Sequence, residues 1–215
     1  NGRNNEGITP LFWLRGENGP AIAKLLIEHG GMATIRDNEN STPLHTTASV
    51  GSIEIAELLL SKGAGINAKD NFGWTPLCMA AMCNAEITKY LLSRGADVNP
   101  HATEMKEGCP CTEFPTPLHC AVRSDSISTV KLLVENGALV NVSDENGWTH
   151  LHLAVDNCNF EIVDYLISKG AHVNLKEGKY GRNEIHTAAI KGQGQLVDRL
   201  IGAGARIDVK DNEGK

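Results

Sequence analysis

The segment from Asp37 to Asn67, DNENSTPLHTTASVGSIEIAELLLSKGAGIN, recurs in recognisable form on both sides of itself, and this repetition limits what the chain can fold into. Copies begin at Thr9, Thr42, Thr75, Thr116, Thr149 and Asn183, at intervals of 33, 33, 41, 33 and 34 residues. A unit of that length cannot close a core of its own. It must bury its apolar side against the next copy, so length here counts stacked units, not separate globular domains.

One unit can be read from its residues. Thr42 can cap a helix start through its hydroxyl, and Pro43 suits a first helical turn, where no amide hydrogen is needed. A short helix from roughly Pro43 to Val50 follows, and Gly51 and Ser52 interrupt it. Ile55, Ala56, Leu58, Leu59 and Leu60 then recur at helical spacing up to Gly63, which can end the helix at positive φ. The predicted unit is helix, turn, helix and extended finger. Neither helix is long enough to stand alone in water, so stacking must supply the stability.

The copies depart from this pattern at defined places. Arg15 stands where Ala48, Ala81 and Ala121 stand later; a long charged side chain suits a surface with no preceding unit, which predicts an N-terminal cap. Gly16, Gly19 and Pro20 predict a short first helix and an irregular turn there. The third copy lacks one residue at the turn near Asn84. About nine extra residues lie between Pro100 and Pro115, PHATEMKEGCPCTEFP, predicting an irregular insertion loop. The sixth copy carries one extra finger residue between Lys176 and Arg182. Residues 211–215 read as the start of a seventh copy, and with no initial Met the chain is expected to be part of a longer protein.

TPLF at Thr9, TPLH at Thr42 and Thr116, TPLC at Thr75, THLH at Thr149 and NEIH at Asn183 resemble the signature of the ankyrin repeat family. The resemblance implies a mainly α solenoid of stacked helix-turn-helix units with hairpin-like fingers. It spans one domain over 1–215, with repeats at about 4–36, 37–69, 70–99, 111–143, 144–176 and 178–210. It also implies a non-enzymatic module that binds a protein partner on a concave face made by finger tips and first helices. Mapped by position, the expected contacts are Asn71, Phe72, Trp74, Glu145, Asn146, Trp148 and Tyr180 on fingers, with Met82, Arg123 and Asp156 on first helices. Aromatic residues and Arg are the usual energetic anchors of such surfaces. Trp74 and Trp148 have a competing reading, in which each simply packs on the adjacent finger. The family's finger asparagine, which can be hydroxylated, is matched by Asn67, Asn99, Asn141 and Asn174.

Chemistry-bearing patterns point the same way. A formal net charge of −6 and a pI near 5.7 argue against nucleic acid, which needs a basic stripe to neutralise phosphates, and make acidic protein partners less favoured. No apolar run is long enough to cross a bilayer. The cysteines at 78, 83, 109, 111, 120 and 158 lack disulfide-framework spacing and read as reduced thiols, which predicts a cytoplasmic location. His45, His119, His152 and His186 fall at one position of four repeats. Helices stacked 8–10 Å apart cannot bring them to a common metal ion, so they read as structural histidines bonded to finger backbone. His101, Cys109 and Cys111 in the insertion do not have zinc-knuckle spacing. No phosphate-binding or nucleophile motif occurs, so no cofactor, metal or catalytic residue is assigned. A monomeric protein-binding module is the leading reading. The alternatives are a module that positions, or acts as a spacer for, a neighbouring catalytic or membrane pore-forming domain, and a host-directed effector.

Overall fold

The computed structural model describes residues 2–100, 116–144 and 146–215. The insertion expected between Pro100 and Pro115, with His101, Cys109 and Cys111, and the expected contact Glu145 lie outside the described residues. Among the described residues the protein is helical, with eleven α-helices and no strand; one isolated antiparallel bridge joins Ser143 to Thr149. The fold is therefore the expected mainly α repeat of helix-turn-helix units.

The first unit opens with a single 3-10 turn, Pro10–Trp13, followed by α1 (Gly19–Glu28). Gly16 at φ 73° breaks the chain between them, as its sequence suggested. Paired helices then follow: α2 (Pro43–Val50) with α3 (Ile53–Ser61), and α4 (Pro76–Cys83) with α5 (Ala85–Ser93). The remaining pairs are α6 (Pro117–Arg123) with α7 (Ile127–Glu135), α8 (His150–Asp156) with α9 (Phe160–Ser168), and α10 (Glu184–Ile190) with α11 (Gly194–Gly202). The chain forms two compact units, one containing residues 2–100 and the other Leu118–Lys215. Each has its own apolar core. In the first, Leu44, Ile55, Leu59, Leu77, Ile87 and Leu91 are fully buried; in the second, Leu118, Leu133, Leu151, Ile162, Leu166 and Leu196 are. These are the same pattern positions of successive units, and their burial supplies the main favourable term of folding.

The turn missing a residue shows how the period is kept. In the second pair-forming turn, Gly51 at φ 87° ends α2 and the Ser52 hydroxyl caps α3 by accepting the Ile55 amide. In the next, Asn84 does both tasks: it terminates α4, and its Oδ1 accepts the Glu86 and Ile87 amides at 2.8 and 3.4 Å.

Each described finger turns around one side chain that collects backbone amides. Asp37 Oδ1 accepts the amides of Glu39 and Ser41, Asp70 Oδ1 those of Phe72 and Trp74, and Asp144 Oδ1 those of Asn146 and Trp148. Asn4 does the same for Glu6 and Ile8, and Asp211 for Glu213 and Lys215. The finger with the extra residue uses Glu177 instead, whose two oxygens accept the amides of Lys179, Tyr180 and Arg182. One extra methylene matches one extra residue. Adjacent fingers are joined by single backbone bonds, Asn71 N–H to Glu39 O at 2.8 Å in the first unit and Asn212 N–H to Tyr180 O at 2.8 Å in the second.

The finger asparagines are structural. Asn141 donates to Gly170 O and accepts the His172 amide, Asn174 does the same with Gly204 O and the Arg206 amide, and Asn67 accepts the Asp97 amide.

Candidate functional site

The Leu118–Lys215 unit carries a groove of about 320 Å³ between two fingers and the ends of the first helices. Arg123 from the end of α6 and Asp156 from the end of α8 approach it from the helix side, with Leu153 on its floor. Asn146 and Trp148 come from one finger, Lys179 and Tyr180 from the next. The buried carboxylates Asp144 and Glu177 form part of the wall, where Asp144 Oδ1 and both Glu177 oxygens accept backbone amides of their own fingers. They hold the finger shapes that place the aromatic rings.

Trp148 is half-buried, its ring centroid 5.9 Å from that of His152 beneath it. Tyr180 is exposed, with the Lys179 ammonium 4.9 Å and the Arg182 guanidinium 4.6 Å from its ring centroid. A hydrogen bond to the Tyr180 side chain is the main cause of the raised Lys179 pKa. Asp156 is bound to Lys191 at 2.8 Å, a bond that is also the main cause of the raised Lys191 pKa. The groove therefore offers two aromatic faces framed by charges of both signs, which suits a polar segment with an apolar or aromatic anchor.

Five of the ten sequence-selected residues, Arg123, Asn146, Trp148, Asp156 and Tyr180, meet in this groove. Asn71, Phe72, Trp74 and Met82 belong to the other unit and do not come together with them. Trp74 corrects the expectation of an exposed finger aromatic: it is 8% exposed, and its carbonyl accepts a hydrogen bond from His45 Nε2 at 3.1 Å. The packing alternative describes it. Asn71 is likewise engaged, its side chain bonded to Asn38 O at 3.3 Å and to Asn40 Nδ2 at 2.6 Å. Phe72 is half-buried and Met82 is exposed at the end of α4.

The residues 2–100 unit has a second groove, about 280 Å³, that sequence reading did not select. Ile8, Phe12, Trp13 and Met79 line it with Arg15, Thr46 and Ser49. Trp13 is 61% exposed, the signal of an uncovered aromatic, but the irregular first unit hid it: no period fixes which way a side chain points after a 3-10 turn. Lys179 was missed for a related reason, since it lies in the finger that departs from the period.

The histidines at the repeated position act as read. Thr42 N–H donates to His45 Nδ1 at 3.1 Å, and Thr149 and Asn183 N–H donate likewise to His152 and His186. Burial lowers the His45 and His152 pKa values to about 4, the carbonyls of Trp74 and Arg182 opposing this in part. Among the described residues no group of His, Cys, Asp and Glu could hold a metal ion, and Cys78, Cys83, Cys120 and Cys158 form no disulfide. No helix among the described residues is long and apolar enough to cross a membrane.

Comparison with known proteins agrees with this architecture. A family model described as ankyrin repeats (3 copies) matches residues 1–70, 16–102, 101–177 and 146–211. The chain is 36% identical over 108 residues to the human transient receptor potential cation channel subfamily A member 1, covering 50% of this chain and 9% of that protein. It is 50% identical over 54 residues to mouse protein phosphatase 1 regulatory subunit 27, covering 25% of this chain and 35% of the other. It is 34% identical over 81 residues to palmitoyltransferase AKR1 of Lachancea kluyveri, covering 38% and 10% respectively. The matches thus span about a third or less of each relative's length. With matches running through both compact units, and with the repeated caps, fingers and histidines in place, the chain belongs to the ankyrin repeat family.

Proposed function

We propose that this chain is a non-catalytic docking module, one continuous domain over 1–215, that takes a segment of another protein into the groove of its Leu118–Lys215 unit. The observation that carries this reading is the groove itself, where Trp148 and Tyr180 stand beside Arg123, Asn146 and Asp156. Family membership supports protein binding as the general role, and the partner's identity is a separate question. Phe72 and Met82 would extend the contact surface on the other unit. We further propose that the module acts as a monomer inside the cell.

The test is capture by the full chain, followed by affinity measurement with the captured protein. Trp148→Ala and Arg123→Ala should each weaken binding about tenfold or more while the helical signal is kept. Wild-type affinity in both would sink the assignment of this groove.

A second reading has its own support. The relatives include a cation channel and a palmitoyltransferase in which the matched region covers 9% and 10% of the length. In that reading the module positions a pore-forming or catalytic neighbour. Sequence adjoining this segment would then carry apolar spans or a catalytic motif.

A further inference from the structure

The negative charge of the chain is not spread evenly. Residues 169–215 hold nine Lys and Arg against six Asp and Glu, which leaves eleven against twenty for residues 1–168. The last repeat is therefore net positive on a chain that is otherwise acidic. Much of the excess lies at a finger. Residues 176–182 carry three cations and one carboxylate, whereas 36–41 carry one and two, 69–74 one and one, and 143–148 none and two.

The fold gathers these cations on one ridge. The fingers of residues 176–182 and 210–215 are tied side by side, with Asn212 N–H donating to Tyr180 O, Asn212 Nδ2 to Lys179 O and Lys176 Nζ to Lys210 O. Lys176, Lys179, Lys210 and Lys215 are exposed, and Arg182 is half-buried, 3.7 Å from Asp211 of the next finger. An ammonium has three donors, so the bond from Lys176 to Lys210 O does not use it up. The carboxylates of these fingers are mostly turned inward. Glu177 is buried and accepts the amides of Lys179, Tyr180 and Arg182, and Asp211 is buried and accepts those of Glu213 and Lys215. Glu213 is exposed, 2.8 Å from Lys215. A ligand arriving from solvent thus meets ammonium groups first. Lys179 and Tyr180 also line the groove beside Trp148, so ridge and groove are continuous.

We propose that this ridge binds an acidic stretch of a partner protein, whose Asp or Glu side chains lie across Lys176, Lys179, Lys210 and Lys215 and lead over Tyr180 into the groove. That the stretch belongs to the protein held in the groove rests on the docking reading; the ridge's preference for carboxylates does not.

The charge of the whole chain disfavours acidic partners, and the ridge is a local exception. At physiological salt, charges more than about 8 Å apart are largely screened, so a short segment on the ridge is governed by the cations under it. A bilayer or a nucleic acid spreads its negative charge much further and would also confront the acidic surface of the preceding repeats. A short acidic stretch avoids that repulsion.

The experiment measures fluorescence anisotropy of labelled peptides with the full chain. One peptide carries glutamates on both sides of a single phenylalanine, and its counterpart carries glutamines instead. The glutamate peptide is expected to bind about tenfold more tightly, and to lose about tenfold in affinity between about 50 and 300 mM salt. Lys176→Glu with Lys179→Glu should weaken it about tenfold or more. Lys62→Glu with Lys89→Glu makes the same change in net charge on exposed lysines of the residues 2–100 unit and should weaken it by less than about twofold. Equal affinity for the two peptides, or equal effects of the two reversals, overturns the proposal. So does ridge-dependent binding of phosphatidylserine vesicles or polyuridine in place of the peptide. Should the ridge variant lose its helical signal, amide resonances of the wild-type chain decide: shifts centred on residues 176–182 and 210–215 support the ridge, and shifts centred elsewhere overturn it. A captured protein that needs Trp148 but not the ridge lysines would sink the ridge and keep the docking reading. A glutamate peptide that needs the ridge lysines, with capture unchanged in Trp148→Ala, would do the reverse.

Discussion

Glu184 Oε1 lies 3.3 Å from His152 Nδ1 with both side chains shut off from water, yet this contact is not an ion pair. His152 Nδ1 accepts the Thr149 amide, which an imidazolium could not do. A neutral His152 leaves Glu184 no buried cation, and burial raises its pKa from 4.5 to about 8. The pair is thus a neutral acid beside a neutral ring. Because the folded state holds this proton and the unfolded state releases it above pH 4.5, Glu184 lowers stability as pH rises from about 4.5 to 8. The slope is about 1.4 kcal/mol per pH unit. Glu184→Gln keeps the shape without the proton. It should stabilise the protein at pH 7.5 on the order of 4 kcal/mol, with the gain vanishing near pH 4.5. Chemical denaturation of both proteins across that range measures it, and a gain independent of pH would show that the carboxyl is ionised in the fold.

The finger locks give a second prediction, in which chain length and side-chain length are coupled. Asp144 serves amides two and four residues ahead, whereas Glu177 serves those two, three and five ahead. Glu177→Asp shortens the side chain and should strand at least one amide in this part-buried finger, costing about 1–3 kcal/mol. Deleting Lys179 in the same variant restores the spacing of the other fingers and should recover most of that loss. Thermal unfolding of the wild type, the single variant and the combined variant tests the coupling. A deletion that only adds to the damage would disprove it.

The period, the caps and the core were legible because they repeat: Leu44, Leu77, Leu118 and Leu151 are the same residue at the same place, and all are buried. The shortened turn could be assigned to Asn84 by counting alone. The burial of Trp74 was not legible, since the exit of a finger can face solvent or core without changing the pattern. The buried His119–His150 and His152–Glu184 contacts were hidden for the opposite reason. His150 and Glu184 appeared as losses of a signature proline, and only three-dimensional neighbours show that each brings a buried titratable group to the next helix. Trp13 escaped because the first unit departs from the period that would have fixed its direction.

Gly147 provides a third prediction, and one that separates backbone strain from contact between fingers. It has φ 79°, and a Cβ there would stand 2.8 Å from Gly178 N and 3.2 Å from Glu177 Cα. Gly178 N is also the donor to Asn146 O that joins these fingers. Gly170 has a similar φ of 84° with open space around it. Gly170→Ala should therefore cost about 1 kcal/mol, from the left-handed conformation alone. Gly147→Ala should cost about 1–2 kcal/mol more, because a backbone atom must move and a bond between fingers weakens. Equal losses on denaturant unfolding would place the whole penalty in φ.

Tyr180 separates recognition from stability. Its ring lies near Lys179 and Arg182 and faces the groove, while its backbone amide, not its side chain, completes the lock on Glu177. Truncating the ring therefore leaves the finger's internal bonds in place, and Tyr180→Ala should change stability by less than about 0.5 kcal/mol, as exposed substitutions usually do. The same variant should weaken the captured partner about tenfold, since an aromatic face at the groove wall is lost. Tyr180→Phe retains that face and removes only the hydroxyl that contacts Lys179. If the ring carries recognition, Tyr180→Phe binds within about twofold of wild type; if it falls as far as Tyr180→Ala, the hydroxyl and its lysine are the contact. Titration calorimetry of the three proteins against the same partner, with unfolding curves from the same preparations, distinguishes these outcomes.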